Sequence, residues 1–115
     1  MEVPKDLIDK AYEVLEIARD TGKVAKGTNE ITKKIDREDA VLVYIAEDVQ
    51  PKEIVVHLPY ICDEKSIPYI HVPRKDELGS AVGIGVPTAA ACIVSPGKGK
   101  KRMNKIIKKL EELKE

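Results

Sequence analysis

The 115 residues carry 20 basic against 20 acidic side chains, with 43% hydrophobic residues, four Tyr, no Phe and no Trp, at a mean hydropathy of −0.27. That length suits one domain, 1–115, and the apolar share is enough for a packed core, which excludes a disordered chain. No apolar run approaches the roughly 18 residues that cross a bilayer, and Met1-Glu2-Val3-Pro4-Lys5 lacks the basic-then-apolar plan of a secretory signal, so a soluble cytoplasmic protein with no membrane partner is expected.

Leu7, Ile8, Ala11, Val14, Leu15 and Ala18 recur at helical spacing between Pro4 and Gly22, which predicts an amphipathic first helix stopped by the glycine. Lys23-Val24-Ala25-Lys26 reads as a short link. Gly27-Thr28-Asn29-Glu30 then offers capping residues before a short second helix in which Ile31 and Ile35 lie one turn apart. Val41–Ala46 is a continuous apolar run rich in β-branched residues, suited to a strand covered on both faces. Pro51 opens a third helix carrying Ile54, Val55, Leu58 and Ile61, with Pro59 kinking or dividing it. A strand at Tyr69–Val72, a short helix from Asp76 to Val82 ended by Gly83, a strand at Ala89–Val94 and a last amphipathic helix on Met103, Ile106, Ile107, Leu110 and Leu113 complete the order. Helices alternating with apolar strands predict an α/β protein, a three-layer α/β/α sandwich with a small central mixed sheet.

Charge is unevenly placed: −3 over 1–22, +3 over 23–34, −5 over 35–66, 0 over 67–97 and +5 over 98–115. Two basic segments on an otherwise acidic chain suit a selective binder of an anionic ligand better than a general nucleic-acid coat, although solvated surface charge explains the same counts.

Candidates for catalysis are thin. Glu47 and Asp48 at a strand end suit support of a helix better than acid–base work, and His57, four residues after Glu53, reads as half of a surface pair. His71 alternates with Ile70 and Val72 as a strand-face residue. Cys62 and Cys92, 30 residues apart, sit in apolar settings as small hydrophobes, with no zinc or disulfide spacing. Gly83 and Gly85 lack the third glycine of a dinucleotide fingerprint.

The segment after Gly27 carries more. Helical spacing turns Asn29, Glu30 and Lys33 to one side and Ile31 and Ile35 to the other, at a helix N-terminus whose free amides and dipole favour phosphate. A carboxylate accepts from base amines, an amide donates and accepts, and an ammonium donates to carbonyl oxygens, so the trio can read base edges. Spacing alone favours a plainer reading, a capped surface helix. Ile84-Gly85-Val86-Pro87 places two apolar side chains in a loop, either as a platform for unstacked bases or tucked into the core.

Gly27-Thr28-Asn29-Glu30-Ile31-Thr32-Lys33, Leu42–Asp48, His57-Leu58-Pro59, Ile67-Pro68-Tyr69, Leu78–Gly83 and Val86-Pro87 together resemble the kink-turn RNA-binding family of archaeal ribosomal protein L-seven-Ae, over nearly the whole chain. The resemblance implies a non-enzymatic α/β/α sandwich, without cofactor or metal, that is monomeric before it binds a sharply bent RNA. The implied partners are ribosomal RNA of the large subunit, box C/D and H/ACA guide RNA and ribonuclease P RNA, with guide-complex proteins possible. By position, Asn29, Glu30 and Lys33 match residues on the tandem sheared G·A pairs, and Lys26, Gly27, Thr28 and Arg37 match the backbone-contacting segment. Ile84, Gly85, Val86 and Pro87 match the loop over the unpaired nucleotides, and Asp48 and Lys75 the edge of the same surface.

Three features depart from the family pattern. Gly85 replaces a larger residue, Glu38-Asp39 stands where a glycine-containing turn is usual, and Lys98-Gly99-Lys100-Lys101-Arg102 is unusually basic, suggesting either a secondary RNA contact or a solvated face. The alternatives are a ribosomal protein of the related L-thirty-e type, a protein-interaction adaptor using the acidic 35–66 face, and a small enzyme around Glu47, Asp48 and His57.

Overall fold

The structure is a computed structural model that describes residues 3–114. Helix α1 (Lys5–Thr21) buries Leu7, Ala11, Val14, Leu15 and Ala18, the stripe its spacing defines. Strand β1 (Lys23–Lys26), helix α2 (Thr28–Asp36) and strand β2 (Leu42–Ala46) follow. A 3-10 turn (Lys52–Ile54) leads to α3 (Leu58–Lys65), then β3 (Tyr69–Val72), α4 (Lys75–Val82), β4 (Ala90–Ser95), a second 3-10 turn (Gly97–Gly99) and α5 (Lys100–Lys114).

The sheet order is β1-β4-β2-β3; β4 runs antiparallel to both neighbours, and β2 and β3 are parallel. The expected mixed sheet is therefore present. Every residue of β2 is buried because helices cover both faces. Tyr44 turns toward α1, where its hydroxyl donates a 2.6 Å hydrogen bond to the Ala11 carbonyl in the interior. Neighbouring Val43 points to the opposite face and pairs with Cys92, on the side where α2 packs on α3. On the Tyr44 side, α1 packs against both α4 and α5.

Three expectations differ from the structure. Lys23–Lys26 is not a link but an edge strand, with Lys26 opposite Ala91; four residues with charged ends show no alternation long enough to betray a strand, and β4 supplies the pairing. The helix expected from Pro51 divides: only a 3-10 turn forms at Lys52–Ile54, and Pro59 lies in the first turn of α3, where its missing N–H costs nothing. Glu53 and His57 thus share no helix, and the surface pair expected of them does not exist.

Helices α2, α3 and α4 end alike. After α2, the Glu38 N–H donates to the Ile35 carbonyl and the Asp39 N–H to the Lys34 carbonyl; Ser66 and Ile67 repeat the pattern after α3, and Gly83 and Ile84 after α4. Each needs one left-handed residue. Gly83 supplies it without strain, whereas Glu38 at φ 59° and Ser66 at φ 56° do so against the Cβ clash. Glu38 also sets a carboxylate at the negative end of the α2 dipole. The departure seen in sequence at Glu38-Asp39 is therefore a left-handed turn made without glycine. Replacing Glu38 by Gly should raise the unfolding free energy by about 0.5–1 kcal/mol, the left-handed penalty less the added entropy of the unfolded chain. A denaturant midpoint unchanged or lowered would contradict this account.

Candidate nucleic-acid interface

Helix α2 sorts its side chains as the spacing requires. Ile31 and Ile35 are fully buried, while Asn29, Glu30 and Lys33 are all exposed on the outer edge. No side chain caps the N-terminus, contrary to the capping expected of Gly27–Glu30; Gly27, at φ 87°, turns the chain from β1 into the helix and leaves the first amides uncapped by it. The reason is that Thr28 already lies inside the helix, so the only residue at the cap position has no side chain.

Two neighbours hold this edge. Lys34, whose side chain is mostly buried, reaches within 3.9 Å of the Glu30 carboxylate one turn above. The Thr32 hydroxyl gives its one proton to the Thr28 carbonyl at 2.8 Å, so the 3.1 Å contact with His57 Nε2 is assigned as a hydrogen bond donated by the ring. His57 thereby fastens the start of α3 to α2. It is not half of a Glu53 pair and shares no hydrogen bond with Glu47 or Asp48.

The 84–87 loop reaches the same end of the molecule through a short chain of hydrogen bonds. The Ala90 carbonyl accepts from the Gly27 N–H at 3.0 Å and from the Thr88 hydroxyl at 3.1 Å. The Thr88 N–H donates to the Lys75 carbonyl at 3.1 Å, and the Lys75 N–H donates to Asp48 Oδ1 at 2.8 Å. Asp48 therefore holds the first turn of α4, a helix-supporting acid as its position suggested, though the helix is not the next one in sequence. Gly27, Asp48 and Lys75, singled out from the chain, thus join the loop to α2 through Thr88 and Ala90, which were not. Glu47 beside Asp48 is exposed.

Within the loop the side chains differ. Val86 is 60% exposed and Pro87 is exposed, but Ile84 is half-buried against the core, so the two readings of this loop each hold for one aliphatic. Gly85, at φ 70°, faces open space. Gly79 was missed. It lies inside α4, where a Cβ would meet the Val86 carbonyl oxygen, so its bare backbone is what lets the loop lie on the helix. A glycine inside a helical pattern is the one signal that could have marked it. Lys26 and Arg37 are exposed at the two ends of the α2 segment, and Thr28 is half-buried.

The remaining titratable candidates lie elsewhere. Burial pushes the Cys62 and Cys92 thiols up to about 12, which suits inert apolar fillers. Burial also holds His71 below its ordinary value against the opposing pull of Glu47, and its ring meets Tyr69 edge-on at 5.8 Å. Among the described residues no group of three or more His, Cys, Asp or Glu is placed to hold a metal ion, and no helix is long and apolar enough to cross a membrane.

A helix edge of amide, carboxylate and ammonium, joined to an aliphatic loop over one strand start, is set in a sandwich that can be matched directly. Residues 9–103 match the Ribosomal protein L7Ae/L30e/S12e/Gadd45 family, and the chain belongs to it. Its fold is similar to that of the Giardia lamblia 15.5kD RNA binding protein, with a TM-score of 0.91 and 32% identity over 96% of this chain and 92% of that one.

Gly79→Ala gains about 1 kcal/mol of helix propensity but drives a methyl into the loop backbone, so a net loss of about 1–3 kcal/mol in denaturant unfolding is expected, with faster amide exchange at Thr88; a stabilised variant would mean the loop does not rest on α4. At pH 8 both cysteines should resist an aromatic disulfide reagent in the native protein and react at the unfolding rate.

Proposed function

We propose that this chain is a non-enzymatic RNA-binding protein, one domain over 1–115, that recognises kink-turn internal loops. The observation that carries the reading is the joint exposure of Asn29, Glu30 and Lys33 on one helix edge, with the Val86 loop tied to the start of that helix at a single carbonyl. A plain RNA duplex hides its base edges in a major groove too narrow for side chains; a kink opens the groove, and sheared G·A pairs present guanine edges to an amide, a carboxylate and an ammonium. Lys26, Arg37 and Lys75 stand around the trio, where phosphate contacts would set the register. Val86 and Pro87 offer an aliphatic surface to bases that leave the stack, Ile84 supports them from below, and Gly85 adds no side chain.

Binding of this kind stabilises the bent RNA, since a ligand that prefers one conformer draws the population toward it. The same reading makes the protein a monomer before assembly and a component of the large ribosomal subunit, of box C/D and H/ACA guide ribonucleoproteins and of ribonuclease P. Membership of the family and likeness to a protein named for RNA binding support it. Docking of guide-complex proteins is favoured by Ile54, Val56 and Tyr60, three of the four large apolar side chains exposed among the described residues, which fall within one short segment running into α3, the helix packed on α2.

Glu30→Ala or Lys33→Ala should weaken binding to a kink-turn stem by about 1–3 kcal/mol and binding to a plain duplex far less. Gel-shift titrations against the stem and against a variant lacking the G·A pairs provide the test. Equal losses on both RNAs would remove the base-reading role.

A further inference from the structure

The most basic part of the chain lies away from this interface. The strand start that holds Gly27 is Ala90, and β4 runs from there to Ser95, about 17 Å at the usual rise per residue. Both ends of α5 are anchored at the far end. At its start the Lys98 N–H donates to the Thr21 hydroxyl at 2.9 Å, where α1 finishes and Lys23 pairs with Ser95. At its finish the Lys114 ammonium lies 3.2 Å from Asp63 and 4.6 Å above the Tyr69 ring, at the beginning of β3. The α2 edge and α5 therefore occupy opposite ends of the sheet.

Helical spacing sorts the cations of α5. Met103, Ile106 and Leu110 are buried. Lys101, Lys105 and Lys108 follow one another at four and three residues on the side turned directly outward, and all three are exposed. Among the described residues none of the three has a carboxylate within 4 Å, whereas Arg102 faces Glu13 of α1 and Lys109 pairs with Glu112 three residues on in α5 itself. Two features of this row oppose folding. Like charges one turn apart repel, and the first turn of α5 has no acid while Lys100, Lys101 and Arg102 stand at the positive end of its dipole. A surface serving only solubility gains nothing from that placement, but an external polyanion relieves both costs at once.

We propose that the Lys101–Lys105–Lys108 row is a second RNA-binding surface that grips the phosphate backbone of a helical segment distinct from the one at α2, so that one copy of the protein joins two RNA segments. A row of ammonium groups on a straight helix matches a line of phosphates and reads no sequence. The joining role rests on the reading of the α2 edge given above; the contact at α5 does not. RNA is favoured over an acidic protein because three ammonium groups follow one another before Glu112 closes the row one turn beyond Lys108, and no apolar side chain stands on the crest; a polyelectrolyte backbone matches that surface and a protein interface core does not.

The experiment titrates a labelled 20-base-pair RNA duplex into three proteins: wild type, the triple variant Lys101→Gln/Lys105→Gln/Lys108→Gln, and Lys33→Ala. Each is measured alone and saturated with an unlabelled kink-turn stem. Wild type should capture the duplex in both states. The triple variant should fold with an unchanged or raised melting temperature and bind the stem as before, yet lose about two to three units of slope in log affinity against log salt for the duplex. Lys33→Ala should keep duplex capture while binding the stem about 5- to 150-fold more weakly, so failure of the α2 reading and failure of this one give different patterns. An unchanged slope in the triple variant, no capture by wild type, or equal binding of a polyglutamate peptide of matched charge would overturn the proposal.

Discussion

The Ala90 carbonyl is the point on which the geometry of the candidate interface depends. A carbonyl oxygen has two lone pairs, and both are used: one for the backbone N–H that starts α2, the other for the Thr88 hydroxyl that ends the aliphatic loop. Ala90 itself is fully buried as the first residue of β4. Two surface segments more than 50 positions apart in sequence are thus set against each other by an acceptor that cannot move without disturbing the sheet. Precision of this kind needs an interior where leaving a donor unpaired is costly, and β4, flanked by β1 and β2, provides it.

From that joint the support spreads outward by backbone contacts more than by side chains. Thr88 holds Lys75, and Asp48 holds Lys75 from the end of β2, so the finish of one strand, the start of α4 and the loop form one connected unit. Gly79 completes it by subtraction, since its missing side chain is the space in which the Val86 carbonyl lies. The result leaves Asn29, Glu30 and Lys33 unused by the fold. Among the described residues only the Lys34 ammonium approaches one of them, and at 3.9 Å and half exposure the Glu30 pair orients more than it stabilises.

The two ends of the molecule divide the charge problem. A chain with equal numbers of acids and bases has no net field to draw it to polyanions, and the acids concentrated over 35–66 oppose indiscriminate binding. Cations are instead gathered at the α2 segment, mixed with hydrogen-bonding groups of both signs, and along α5, where Lys101, Lys105 and Lys108 follow one another on the exposed face. The first arrangement offers donors and acceptors together; the second offers charge alone.

Much of this was legible in the chain because it follows from local periodicity. The buried stripe of α1, the two-faced burial of β2, the turning of Ile31 and Ile35 away from Asn29, Glu30 and Lys33, and the inert setting of the cysteines need only the 3.6 and 2.0 repeats and ordinary hydrophobicity. What no local pattern contained was pairing. Lys23–Lys26 becomes a strand only because β4 lies beside it, Pro59 begins a helix only because the preceding turn stops short, His57 finds Thr32 instead of Glu53, and Glu38 is left-handed because the chain must return to β2. The Ala90 joint belongs to the same class: Thr88 and Ala90 are ordinary in sequence, and their tie to Gly27 arises only when folding brings distant donors to one buried acceptor, a contact whose energy depends on low dielectric and fixed geometry that the linear chain does not possess.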